Sequence, residues 1–270
     1  MLKLYHAKGS VCSIKARIGL AEKKLDWDSC LIDLHRGEQF TPEYVKLNPN
    51  AVVPTLDHNG FIVIESGVIL QYLDLLNDNN RLMPDDMKAQ TIARLWLLRC
   101  IDIHTAINTM TFSTVGRRRI MELNTPEEIE NSIKKMPNPR AACKRRDLIK
   151  NGISSSHMEG DFFTLQRMFE DMQTALEKTD WLTGDTYSLA DTAVIAYVDR
   201  LDRLGQSGLW EERFPRVSNW LEASKARPSY GIALDSFISK AEAEKTRTIG
   251  ETLWPEVKKK WDAFNRTKRT

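Results

Sequence analysis

The hydrophobic period of this 270-residue chain changes once, near residue 77, and that change limits the folds open to it. Before it, short apolar runs alternate with helical patterns. Leu2 to His6 reads as a buried strand, and Ile14, Ile18 and Ala21 share one face of a helix over roughly Ser13 to Lys24. Trp27 to Leu34 reads as a second strand and Pro42 to Leu47 as a short helix. Val52 to Leu56 and Phe61 to Ile64 make a hairpin around His58-Asn59-Gly60, which carries the Asn-Gly turn signal. Ser66 then opens a helix through Leu76. The order is βαβαββα.

After Leu76 only the helical period remains. Asn77 to Pro84 is polar and turn-rich, so the chain divides into residues 1–78, a linker at 79–84, and an all-α domain over 85–270. Ile92, Leu95, Trp96, Cys100, Ile103 and Ile107 form one apolar stripe. Phe162, Leu165, Phe169, Met172 and Leu176 form another, and Val194, Tyr197, Leu201 and Leu204 a third. The last helix, Val217 to Ser224, stops before Pro228, and the basic stretch from Lys258 to Arg269 reads as a solvated helix end and tail. An insert at about 111–158, with Arg117-Arg118-Arg119, Lys144-Arg145-Arg146 and Met136-Pro137-Asn138-Pro139, interrupts the helical pattern. A long insert in a helical domain is more often functional or mobile than neutral.

Composition narrows the function. With 39 basic and 37 acidic residues the formal net charge is +2, which gives no reason to expect nucleic acid or an anionic membrane as partner. No apolar run approaches the ~20 residues that span a bilayer, and Met1-Leu2-Lys3-Leu4-Tyr5 lacks the apolar core of a signal peptide. A cytoplasmic protein is expected. The four cysteines are far apart, with no Cys-x-x-Cys pair, and the five histidines are scattered, so neither a disulfide framework nor a metal site is expected.

Three short constellations can carry chemistry. Val53-Pro54 precedes an apolar strand; a cis bond there would turn the Val53 backbone outward to pair with an extended peptide, and a trans edge proline is the plain alternative. Glu65-Ser66 opens a helix, with Ser66 as N-cap. A carboxylate can bind at the helix N-terminus and an ammonium at Glu65, which describes an amino-acid clamp or simply a capped helix. Cys12-Ser13 stands at the start of the first helix, where a thiolate is stabilised; the structural alternative is a capping Ser13 beside a space-filling Cys12.

Taken together, Leu4-Tyr5 before Cys12-Ser13, Asn48-Pro49 before Val53-Pro54-Thr55-Leu56, and Glu65-Ser66 before Ile69 and Tyr72-Leu73 resemble the glutathione-binding domain of the cytosolic glutathione transferases. Gly184-Asp185-Thr186-Tyr187-Ser188-Leu189-Ala190-Asp191 resembles that family's signature at its buried central helix, with Ser188 and Asp191 as folding determinants in a Ser-x-x-Asp cap. The resemblance covers about residues 2 to 230. It implies an α+β, thioredoxin-like N-terminal domain followed by an all-α C-terminal domain, and a dimer of identical or related chains. It implies that Val53 pairs its backbone with the cysteinyl part of glutathione, with Pro54 cis. Glu65 and Ser66 would hold the γ-glutamyl end and Gln39 the glycine end. Where many relatives have Lys or Gln two residues before the cis proline, this chain has Val52, so that contact is missing or supplied by Lys15 or Arg17, if those two are not a solvated face.

The insert, through Thr125-Pro126-Glu127-Glu128, Pro137-Asn138-Pro139, Lys144-Arg145-Arg146 and Asn151-Gly152-Ile153, looks like that of the bacterial glutathione-dependent β-etherases of lignin-derived aromatics. The implied reaction is attack of glutathione thiolate on a carbon beside a ketone, with departure of a phenolate. Ser13 or Cys12 would serve the thiol. Trp96, Met110 and Phe112 are candidates for an apolar wall around a small aromatic substrate, and Arg117 or Arg145 for meeting a phenolate or carboxylate. Three rivals remain: a thiol transferase or disulfide reductase using Cys12, a non-catalytic aromatic-ligand carrier, and, within the same chemistry, a dehalogenase.

Overall fold

Leu2–His6 (β1) is an interior strand of a four-stranded sheet in the computed structural model, which describes residues 1–267. Trp27–Leu31 (β2) pairs parallel to it, Thr55–His58 (β3) antiparallel on its other side, and Phe61–Val63 (β4) antiparallel to β3, giving the order β2-β1-β3-β4. Val11–Glu22 (α1), Pro42–Leu47 (α2) and Ser66–Asp74 (α3) complete βαβαββα. Leu2, Leu4, Ala16, Leu20, Leu56, Val63, Ile69 and Leu73 form the core between sheet and helices.

Several boundaries move from those read in the sequence, each for a local reason. α1 begins at Val11 because Ser10 caps it, accepting from the Ser13 N–H. β2 ends at Leu31, opposite His6, the last residue of its partner strand. β3 starts at Thr55, since Pro54 has no N–H to give the ladder. The hairpin turn is as expected: Asn59 and Gly60 both lie at positive φ, as a two-residue turn requires.

Contacts divide the chain into two units that do not follow chain order. The first contains Met1–Cys100, Thr174–Val198 and Asn219–Ser239. Within it α1 packs against α3 and against Pro228–Leu234 (α11), and is buried on almost every side. Lys15 and Arg17 are therefore not a solvated face: each is 1% exposed. Arg17 donates through Nε to the Ala233 carbonyl (2.7 Å), through Nη1 to Ala7 (3.2 Å) and through Nη2 to Lys8 (2.9 Å), while its plane lies over the Phe237 ring. Nη1 is also 3.0 Å from His6 Nδ1. A guanidinium only donates, so Nδ1 accepts, and the His6 proton sits on Nε2 and bonds Ser29 Oγ at 2.7 Å. Burial, with the Arg17 charge beside it, holds His6 down to about 4.

The stretch between α3 and the next helix is tied down by Asp74, which accepts from the Leu82 and Met83 N–H groups, while Leu82 accepts from Leu189. Asp191, on Leu189–Arg203 (α9), is fully buried and accepts four hydrogen bonds. They come from the Leu182 N–H (3.0 Å), the Ser188 N–H (3.0 Å) and hydroxyl (2.7 Å), and Trp220 Nε1 (2.8 Å). This network confirms the capping role of Ser188-x-x-Asp191 and joins a loop, a helix start and Pro215–Lys225 (α10).

Among the described residues the second unit holds Ile101–Gln173, Asp199–Ser218 and 240–267. Met87–Ser113 (α4), whose residues up to Cys100 belong to the first unit, buries Ala93, Trp96, Leu97, Cys100, Ile103 and Ile107, but Ile92 and Leu95 of the expected stripe are over 40% exposed, because the buried face is rotated toward Ala93 and Leu97. The insert folds as Val115–Leu123 (α5), Pro126–Lys134 (α6) and Pro139–Asn151 (α7), ahead of His157–Leu176 (α8). Thr125 and Glu128 make a reciprocal capping box on α6, and Arg146 grips Glu130 through two nitrogens. The sequence reading bounds its last helix at Val217 to Ser224 and takes Lys258 onward as a solvated helix end, whereas Lys240–Thr267 (α12) is one helix that buries Val257, Trp261 and Phe264. A Cβ at Gly250 would fall 1.8 Å from the Leu204 carbonyl oxygen, so glycine alone permits this approach of α12. Of the basic tail, residues beyond 267 lie outside the described residues.

Two outcomes follow in unfolding experiments. Asp191→Ala orphans four buried donors and is expected to cost about 3–5 kcal/mol, against about 1 kcal/mol for Ser188→Ala; equal losses would contradict the network. The depressed His6 pKa means the unfolded chain binds a proton that the folded chain refuses. Stability is then full above about 6.5, the ordinary His value, and falls as pH drops from there toward about 4. In urea titrations the midpoint should drop more between pH 7 and pH 5 for wild type than for His6→Asn.

Candidate functional site

The antiparallel pairing of β3 with β1, and of β4 with β3, brings three chain segments to one end of the sheet. Tyr5 near the end of β1 faces Thr55 at the start of β3, and Leu56 faces Val63 at the end of β4. The turn into α1, the Val52–Pro54 segment and the turn into α3 therefore share an edge, with two helix N-termini among them.

The Val53–Pro54 bond is cis. Val52, half exposed, has its carbonyl held by the Tyr44 hydroxyl (2.7 Å) and Asn48 Nδ2 (2.9 Å), both of which also bond Thr55 Oγ1. Burial pushes the Tyr44 hydroxyl up to about 12, so it stays a donor. Tyr44 and Asn48 thus fix the segment from behind. Tyr44 was missed in the sequence, where it reads as an ordinary apolar position of a short helix.

At α3, Glu65 is the N-cap and Ser66 the first helical residue, so the cap falls one place earlier than the sequence suggested. Glu65 adopts φ 68°, unusual for a side chain with a Cβ, and its carboxylate is exposed, does not cap its own helix, and is met by Asn50 Nδ2 at 3.4 Å. Among the described residues the N–H groups of Ser66 and Gly67 have no partner, as expected of a first turn. Gln39 lies in a 3-10 turn, 8% exposed, and its Oε1 is buried with no partner. An orphaned buried oxygen, an exposed carboxylate and unpaired helix N–H groups suit a ligand with amide, ammonium and carboxylate groups. Glutathione has all three.

Cys12 and Ser13 are separated by the fold. Ser13 is fully buried, and its hydroxyl accepts from the Ala7 N–H at 3.2 Å, so it braces the turn before α1. Cys12 is partly exposed and meets the Tyr197 hydroxyl. Lys15 Nζ donates to that hydroxyl at 2.8 Å, and the buried Cys100 thiol lies in the same cluster. Burial pushes the Cys100 thiol and the Tyr197 hydroxyl above their ordinary values. The more exposed hydroxyl of this turn is Ser10, which the sequence reading passed over. The signal was present: a serine immediately before the apolar Val11, at the N-cap position.

Of the expected aromatic wall, Trp96 (2% exposed) and Met110 (0%) are core. Phe112 and Arg145 are brought together, with the guanidinium 3.3 Å from the ring centroid. Burial lowers Arg145 to about 10, and no hydrogen bond or ion pair joins it to another described residue. Arg117 instead donates Nε to the Ile149 carbonyl (2.8 Å) and lines a cavity that Phe112 and Arg145 do not reach. Among the described residues no three or more His, Cys, Asp or Glu side chains are placed to hold a metal ion, and no helix is long and apolar enough to cross a membrane.

Comparison with known proteins adds a family to this geometry. Residues 1–75 match the glutathione S-transferase N-terminal domain and residues 162–223 the glutathione S-transferase C-terminal domain. Protein LigF of Sphingobium sp. strain SYK-6 is 30% identical over 237 residues, 84% of this chain and 91% of LigF. The crystal structure of that protein, a β-etherase, superposes with a TM-score of 0.75 at 27% identity, covering 87% of this chain and 99% of the other. A tetrachloro-p-hydroquinone reductive dehalogenase of Sphingobium chlorophenolicum is 24% identical over 86% of this chain and 95% of its own length. A glutathione transferase homologue from Sulfitobacter, solved with bound glutathione, shares the fold at a TM-score of 0.63 and 20% identity, covering 87% of this chain and 98% of that one. Both domains in order, on a thioredoxin-like sheet followed by helices, place this chain in the glutathione S-transferase family.

Proposed function

We propose that the protein is a glutathione-dependent β-etherase that displaces a phenolate from a ketone-bearing, lignin-derived β-aryl ether and leaves a glutathione thioether. The likeness to LigF over 84% of the chain carries the reaction type. The polar groups at the sheet edge support glutathione as cosubstrate. In this reading the Val53 backbone pairs with the cysteinyl part. The γ-glutamyl carboxylate lies on the Ser66 and Gly67 N–H groups and the Ser66 hydroxyl, its ammonium meets Glu65, and Gln39 takes the glycine end.

The sulfur then falls near the N-terminus of α1, whose partial positive charge favours a thiolate. Ser10 uses its oxygen to accept from Ser13, which leaves its proton to donate outward. We assign that donation to Ser10 and a bracing role to Ser13, with Cys12 as the side chain beside the sulfur. The thiol first loses its proton to solvent. The thiolate forms the S–C bond as the C–O bond breaks, and the departing phenolate is protonated by water or stays ionised. Adjacent carbonyl activation and alignment of the two reactants supply the rate. Within the helical unit, Arg145 on Phe112 is a cation beside an aromatic ring with donors left for an aryl oxide. Exposed Phe61, Val68, Leu75 and Leu98 of the first unit suit the apolar contact of a dimer. A cytoplasmic location remains part of this reading.

A second reading is thiol–disulfide exchange at Cys12, which the Lys15–Tyr197 pair behind that thiol favours. Phenol release from a ketone-bearing β-aryl ether, with and without glutathione, separates the two. Glutathione-dependent release is expected to survive Cys12→Ala, to fall about 10- to 100-fold in kcat in Ser10→Ala, and to show a raised KM for glutathione with a smaller change of kcat in Glu65→Gln. Release without glutathione, or none from wild type alongside disulfide exchange that Cys12→Ala abolishes, would overturn the etherase and leave the exchange.

A further inference from the structure

The helical unit contains a cavity of about 470 Å³ between α5, the 3-10 turn Gly152–Ser154 and α12. All of its lining residues lie outside the stretches matched by the two family domains, so this cavity belongs to the insert and to α12 rather than to the common scaffold. Its construction is specific. Gly152 turns at φ +54°, and a Cβ there would sit 3.3 Å from Arg117 Cδ and Nε and from the Ser113 carbonyl, so the backbone is pressed against the Arg117 side chain. Nε of Arg117 is anchored on the Ile149 carbonyl, and its two terminal nitrogens bond no other described residue. Ser113, 3% exposed, lines the same space with a buried hydroxyl that has no partner.

The walls also fix the ligand's chemistry. Met121, Ile153 and Leu253 give apolar surface. Arg118 and Glu122 neutralise each other at 2.8 Å, and Glu256 is exposed to solvent, where its charge is screened. Arg117 is the half-buried charge that remains, beside an unsatisfied hydroxyl. A planar fork of donors that shares a cavity with three apolar side chains, the rest of the lining being mostly polar (Thr114, Asn151 and Ser154 among it), recognises a carboxylate on an aromatic body.

The structure assigns this cavity as a binding site for an aromatic carboxylate, with Arg117 and the Ser113 hydroxyl on the carboxylate and Met121, Ile153 and Leu253 around the ring. The assignment does not depend on the etherase reading. It is tested by titrating naphthalene-2-carboxylate calorimetrically into the full-length protein saturated with glutathione. One molecule is expected to bind per chain, and to bind at least about tenfold more weakly to Arg117→Gln. Met121→Trp, which fills the cavity from a half-exposed position and spares the Arg117 anchor, should weaken binding by a similar factor. The uncharged naphthalene-2-carboxamide should bind wild type at least about tenfold more weakly than the acid. Absence of binding by wild type, wild-type affinity in either variant, or equal binding of acid and amide would overturn the assignment.

Discussion

The candidate glutathione site depends on a buried guanidinium. Arg17 sits inside the first unit and holds the carbonyls of Ala7, Lys8 and Ala233 and the Nδ1 of His6. Removing such a charge from water costs several kcal/mol, and it is tolerated because nearly every donor finds an acceptor and the plane stacks on Phe237. The result is a turn between β1 and α1 whose backbone has little freedom. Ser10, Cys12 and the α1 N-terminus inherit their positions from that turn, and Ser13 locks it again through Ala7.

The same economy appears at the other two segments of the sheet edge. Tyr44 and Asn48 converge on the Val52 carbonyl and Thr55 hydroxyl, so the chain before β3 is held from the side away from a ligand. Glu65 occupies a backbone conformation that side chains rarely adopt, and its carboxylate is left exposed rather than spent on its own helix. Polar groups are satisfied where they build the edge and unsatisfied where a ligand would meet them, as with Gln39 Oε1. That contrast is what makes a binding site stand out from a capped and buried core.

Much of the first unit was legible in the sequence because its signals are local. Asn59-Gly60 predicts its own hairpin turn, Pro54 its own exclusion from a ladder, and Ser188-x-x-Asp191 its own cap. Most of what was not legible depends on partners far along the chain. Ser13 reads as the helix start when the apolar period is counted from Ile14, which passes over the local cap signal of Ser10 before Val11. Lys15 and Arg17 look solvated in any one-helix view; their burial comes from Tyr197 and Ala233, some two hundred residues away. α12 escaped because a narrow stripe of Val257, Trp261 and Phe264 lies among charges, with Pro255 inside the helix as a breaker signal. The separation of Arg145, stacked on Phe112, from Arg117, anchored on Ile149, is likewise a matter of tertiary placement.

The central claim, that glutathione sulfur replaces an aryl oxide at carbon, is tested most directly by the mass balance of one turnover. Incubating the protein with glutathione and a ketone-bearing β-aryl ether, and quantifying products by mass spectrometry, should yield one glutathione thioether for each phenol released. Phenol accompanied by glutathione disulfide, or phenol formed with no sulfur on the remaining carbon, would contradict it.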